Sequence, residues 1–262
     1  MPRIHPIFGI VAVPVLAGAV LLQQYGSEYL KKQHLDQLIS NLNDADTGVR
    51  QNAVEALAGV GQPAVRPLIV ALKDPDVKVR QSAVEALGRI GEPAVQPLID
   101  TLRDEYTDAD LRLRAVQALG KIGQPAVGPL IAVLGVPGYD AATDALAEIG
   151  KPAVDQLIAE LNSPLSDART SAIGALGRIG EPAVEPLVAA LDRGGQEECQ
   201  EAAAALVIIG EPAVEPLKGM AKNATGPYWE CATGALKQIK AHQTHVARPR
   251  VLDKKATDPS SQ

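Results

Sequence analysis

Between residues 47 and 73 the apolar positions form two helical stripes separated by a glycine. Val49, Ala53, Ala56, Leu57 and Val60 fall at i, i+4, i+7, i+8 and i+11, on one face of an α-helix. Gly61 follows the last of them, where a left-handed cap is easiest without a Cβ. Gln62 and Pro63 then open a second helix, whose stripe is Val65, Leu68, Ile69 and Leu72. The pattern predicts a hairpin of helix A and helix B. A second proline, Pro67, sits close enough to the start to cost at most one backbone bond, and predicts an irregular opening turn.

The hairpin recurs. Val-Gly-Gln-Pro-Ala-Val at 60–65 returns with small changes at 90–95, 122–127, 149–154, 179–184 and 209–214, at spacings of 30, 32, 27, 30 and 30 residues. A period of this length predicts stacked units, since two short helices with one stripe each cannot bury those stripes alone. The units align on Leu57, Leu87, Leu119, Leu146, Leu176, Leu206 and Leu236, each with an alanine four positions earlier that lets helices approach. Leu35-Asp-Gln-Leu-Ile-Ser-Asn-Leu42 reads as an isolated helix B before the first unit, and the last unit, ending after Ile239, as an isolated helix A.

Residues Asp76-Val-Lys-Val-Arg-Gln-Ser-Ala-Val-Glu-Ala-Leu-Gly-Arg-Ile-Gly-Glu-Pro-Ala-Val-Gln-Pro-Leu-Ile99 resemble the HEAT-like repeats of the phycobilisome-lyase (PBS lyase) type. The resemblance spans roughly 35–240 and implies an all-α fold, a right-handed α-solenoid of HEAT-like helical hairpins. It rests on the repeat alone. Some HEAT-like proteins, the deoxyhypusine hydroxylases, hold a di-iron centre through His-Glu pairs, but no His-Glu dipeptide occurs here. Other relatives attach or detach bilin chromophores, and no short motif of that branch can be placed on these residues.

Outside the repeats the ends differ. Ile7–Leu22 is an uncharged apolar run of 16 residues, short of the ~20 a spanning helix needs. Ala17-Gly18-Ala19 fits a small-x-small cleavage site, but Val20-Leu21-Leu22 continues the run past it. The reading is a membrane-anchored protein held through residues 7–22, with export after signal cleavage as the alternative. Residues 1–34 thus form an apolar anchor or signal segment with a polar helix, 35–240 the solenoid, and 241–262 a mildly basic disordered tail holding Arg248, Arg250, Lys254 and Lys255.

Composition narrows the chemistry. Phe8 is the only phenylalanine and Trp229 the only tryptophan, and the net charge is −6. Neither suits a stacked-base groove or a phosphate-binding surface, so no nucleic-acid partner is expected. His5, His34, His242 and His245 all lie outside the repeats, and the i, i+3 pair His242/His245 has no partner ligands nearby in sequence. No catalytic, cofactor-binding or metal-ligating residue is assigned, and no cofactor is expected. Cys199 and Cys231 sit on successive A helices at different angular positions, which favours free thiols over a bridge. The i, i+4 pairs Asp46/Arg50, Asp76/Arg80 and Asp108/Arg112 read as capping aspartates with arginines that pair locally or reach the next repeat, in preference to an arginine row for an anionic ligand.

The departures from consensus supply the candidate partner-binding residues. The fourth unit is three residues short and enters through Gly135-Val136-Pro137-Gly138; Asp140, Asp144 and Glu148 form an acidic stripe on its A helix, read either as a solvated face or as a docking stripe. Val207 and Ile208 replace a small-basic pair in the sixth unit, and Tyr228 and Trp229 open the seventh. On the B helices one equivalent position carries Arg66, Gln96, Asp155, Glu185 and Glu215, turning acidic along the chain. The expected function is a non-catalytic protein–protein interaction scaffold, membrane-tethered or exported, whose partner has basic segments facing Asp155, Glu185 and Glu215. The alternative is a bilin-lyase-like or other protein-modifying enzyme or its subunit.

Overall fold

The computed structural model describes residues 30–103, 108–193, 195–223 and 227–246. Every element in these residues is helical. A first helix, α1 (30–40), runs into a 3-10 turn at Asn41–Asn43. There follow α2 (Thr47–Val60), α3 (Gln62–Ala71), α4 (Val77–Ile90), α5 (Glu92–Asp100), α6 (Ala109–Ile122), α7 (Gln124–Ile131), α8 (Ala141–Ile149) and α9 (Val154–Glu160). The described residues close with α10 (Ser166–Ile179), α11 (Val184–Arg193), α12 (Gln196–Ile209), α13 (Val214–Asn223) and α14 (Pro227–Val246). The last helix thus extends seven residues past Ile239, into residues expected to begin the tail.

One repeat shows why the elements form. Asp76 caps α4, its Oδ1 accepting the Lys78 N–H at 2.8 Å. Gly91, at φ 76°, ends the helix with its N–H on the Leu87 carbonyl at 3.2 Å. Ala94 N–H then bonds the Gly91 carbonyl at 2.9 Å, and an equivalent i to i+3 bond opens every B helix. In α9, α11 and α13 that opening is a distinct 3-10 turn, at Lys151–Ala153, Glu181–Ala183 and Glu211–Ala213. The second proline is not its cause: α3, α5 and α7 hold Pro67, Pro97 and Pro129 within continuous α-helix, whereas the fourth unit has Gln156 at that position.

The chain forms two compact units, Met1–Ala126 and Val127–Gln262. In the first, α2, α4 and α6 lie side by side as one layer and α3 and α5 as the other. In the second, α8, α10, α12 and α14 make the A layer and α9, α11 and α13 the B layer. Each unit is an all-α solenoid stack. Its interior is the apolar column: Leu57, Leu87, Leu119, Leu146, Leu176 and Leu206 are fully buried, as are Leu68, Leu98, Leu130, Leu157, Leu187 and Leu217 on the B helices. Leu236 is only half-buried. Among the described residues no polar or charged side chain is buried.

Three expectations are corrected. The membrane anchor at 7–22 lies outside the described residues, and among those described no helix is long and apolar enough to cross a membrane. The longest, α14, has 20 residues but carries Glu230, Lys237 and Lys240; the membrane-anchored location is not supported. Cys199 and Cys231 form a disulfide with Cα atoms 6.2 Å apart, not free thiols. Facing Cα atoms on helices packed at the ordinary separation already lie within disulfide reach, and the two positions meet across the junction of α12 and α14. Finally, Arg50 and Arg80 do not pair with their capping aspartates. Arg50 Nη1 donates to the Asp44 and Ala45 carbonyls, at 2.7 and 3.0 Å. Arg80 Nη1 donates to those of Asp74 and Pro75, both at 2.8 Å. These arginines close the loop from the preceding B helix.

Candidate partner-binding surface

The A layer carries a ladder of charge. Counting from each repeat's leucine, the acid two positions before it meets the base two positions after the next repeat's leucine. Glu55 pairs with Arg89 at 3.5 Å and Glu85 with Lys121 at 2.9 Å. In the second unit Asp144 pairs with Arg178. Arg89 also bonds Glu85 at 3.1 Å within α4, so Glu55, Arg89, Glu85 and Lys121 form one chain across three repeats. The Lys121 and Arg89 donors hold the Glu85 carboxyl below its ordinary range, Lys121 contributing most. The ladder then stops: its next rungs would be Gly174 with Ile208, and Ala204 with Gln238.

This geometry divides the acidic stripe of α8. Asp144 in its middle is engaged by Arg178, while Asp140 and Glu148 remain exposed at its two ends. Nor does the structure bring the apolar candidates together. Ile208 (57% exposed) and half-buried Val207 end α12, whereas Trp229 (47% exposed) lies in the first turn of α14. Along two adjacent A helices, positions nine residues out of register are ~13 Å apart. Ile208 is partly used in packing: a Cβ placed on Gly177 would stand 2.9 Å from its Cβ.

The B-helix row is intact. Asp155, Glu185 and Glu215 are all exposed, at one equivalent position in the first turn of α9, α11 and α13. Lys218 Nζ lies 2.7 Å from Glu215 Oε1 and depresses its pKa through that hydrogen bond. In the first unit Arg66 and Gln96 are exposed, and Gln96 donates to Asp100 at 3.0 Å. Two acids that the sequence reading passed over join the row. Glu181 and Glu211 lie one helical turn before Glu185 and Glu215, exposed at the hairpin tips. Their signal was the third residue of the repeated phrase, which becomes Glu in both of the last two copies. Glu211 also accepts a hydrogen bond from Gln243 of α14. Helix N-termini favour carboxylates through the backbone dipole, which stabilises the row locally while leaving its charge in solvent. Among the described residues no group of three or more His, Cys, Asp or Glu side chains is arranged to hold a metal ion.

The profile of HEAT repeats matches residues 35–120, and that of the PBS lyase HEAT-like repeat matches residues 111–135 and 168–193. No curated protein matches the chain in sequence. Among solved structures, human deoxyhypusine hydroxylase in complex with glycerol is 21% identical, with 82% of this chain and 99% of that one covered and a TM-score of 0.31. The complex of CpcE and CpcF of phycocyanin lyase from Nostoc sp. is 23% identical over 78% of this chain and 94% of that one, with a TM-score of 0.28. A designed armadillo repeat protein in complex with the peptide (KR)4 is 20% identical over 78% and 99%, with a TM-score of 0.25. At these scores neither activity nor partner carries over from any of them.

Proposed function

We propose, from the HEAT repeats matched at 35–120 and the PBS lyase HEAT-like repeats matched at 111–135 and 168–193, that the chain acts as a non-catalytic scaffold that holds a protein partner through a basic segment. One observation carries this reading: three successive B helices of the second unit present an exposed carboxylate at the same position, Asp155, Glu185 and Glu215. Glu181 and Glu211 lie beside them. Carboxylates repeated at the spacing of the helices favour an extended chain with several positive side chains over a single bound cation. Their field attracts that chain and sets its direction, more than it supplies affinity through any one pair.

The test is binding of a fluorescent Lys/Arg-rich peptide, followed by anisotropy at rising salt. Replacing Asp155, Glu185 and Glu215 together with serine is expected to weaken binding at least tenfold at low salt and to flatten its salt dependence. Equal affinity and equal salt dependence for the two proteins would refute the assignment.

A further inference from the structure

The two halves of the Cys199–Cys231 bridge are not equally exposed. Cys199 is fully buried, whereas Cys231 is half-buried. Cys231 also lines an open groove between α12 and α14, together with Gln200, Ala203, Ala204, Val207 and Gly234. Glu230, Ala235 and Gln238 complete the lining, in which Cys231 takes part and Cys199 does not, and a Cβ added to Gly234 would meet nothing within 4 Å.

The bridge ties the last described helix to its neighbour. α14 packs on α12, α13 and α11 and, among the described residues, buries only Ala232, Ala235 and Ile239. At the ladder positions of this junction Ala204 and Gln238 stand in place of an acid and a base. Elements held by few buried contacts open at low free energy.

We propose that Cys231 is a thiol-exchange site for glutathione or a dithiol, and that reduction there unlocks α14 from α12. The incoming thiolate attacks Cys231 Sγ, on the half of the bridge that lines the groove. A new S–S bond forms at Cys231, the bond to Cys199 breaks, and the Cys199 sulfur leaves as thiolate and takes up a proton. A second thiol of the reductant then displaces Cys231, which leaves as a thiolate and is protonated in turn. The reductant departs as its own disulfide, and two electrons have passed to the bridge. The lock lies on the A layer, so it acts whether or not the acidic row of the B layer binds a partner.

The experiment uses the full chain without denaturant. The oxidised protein is exposed to glutathione, quenched with acid and mapped by peptide mass. The mixed disulfide is expected on Cys231, at least tenfold more abundant than on Cys199. Hydrogen exchange is then compared before and after treatment with excess dithiothreitol. Amides of 227–246 are expected to exchange at least tenfold faster after reduction, while those of α8 and α10 are unchanged. The Cys231→Ala variant, which leaves buried Cys199 intact, should reproduce the reduced pattern without reductant. The idea fails if the bridge opens only in denaturant, if the adduct forms mainly on Cys199, or if reduction leaves exchange in 227–246 unaltered.

Discussion

Arg169 Nε lies 3.1 Å from Glu201 Oε1, across the junction of α10 and α12. One repeat later the same two positions, seven and five residues before the leucine, are held by Cys199 and Cys231. An ion pair and a disulfide thus occupy equivalent sites on successive junctions, both with a sequence separation of 32. If the backbone geometry repeats as the positions do, Arg169→Cys/Glu201→Cys should bridge spontaneously on air oxidation. Thiol titration of the unfolded, unreduced variant would then find no free thiols; two free thiols would show that the two junctions differ in spacing.

Glycines in the A helices divide into those that packing requires and those it does not. A Cβ on Gly88 would stand 2.7 Å from Lys121 Cβ, whereas one on Gly59 would meet nothing within 4 Å. Both lie inside helices. Gly59→Ala should therefore stabilise by about 0.5–1 kcal/mol through helix propensity. Gly88→Ala should destabilise by about 1–2 kcal/mol, overpacking outweighing the same gain. Urea midpoints of the two variants, moving in opposite directions from the parent, would check this.

Gly135 has a stricter role. It sits at φ 75° in the shortened connection to α8, and a Cβ there would lie 2.8 Å from the Asp167 carbonyl carbon and 2.9 Å from Ala168 Cα. Both neighbours are backbone at the start of α10 and cannot swing aside. Gly135→Ala combines left-handed strain with a backbone clash and should cost more than ~2 kcal/mol. Thermal unfolding should show it as the most damaging of the three alanine substitutions.

Glu85 predicts a pH dependence. Lys121 first, and then Arg89, hold its carboxyl below the ordinary value of 4.5. A carboxylate depressed in the folded state stabilises above the unfolded value and loses that contribution as pH falls through the folded one. Its side chain is 40% exposed, so the pairs are screened, and Glu85→Gln should cost only about 0.5–1 kcal/mol at neutral pH. The gap between parent and variant should close as pH drops below 4.5, and high salt should narrow it at neutral pH. Equal gaps at both extremes of pH would show that the cost is not electrostatic.

The repeat phrase and its two stripes determined the helices, the buried leucine and alanine columns, and the capping aspartates and glycines. These depend on periodicity and on bonds within a few residues, which are written locally in the chain. Tertiary structure decided what happens between repeats. Arg50 and Arg80 turned to loop carbonyls and not to Asp46 and Asp76, because their guanidinium groups reach backward over the hairpin connection. Asp144 was legible only as part of an unpartnered stripe, since Arg178 comes to it from 34 residues away. Cys199 and Cys231 read as separate thiols because angular positions on two isolated helices omit the offset at which those helices pack.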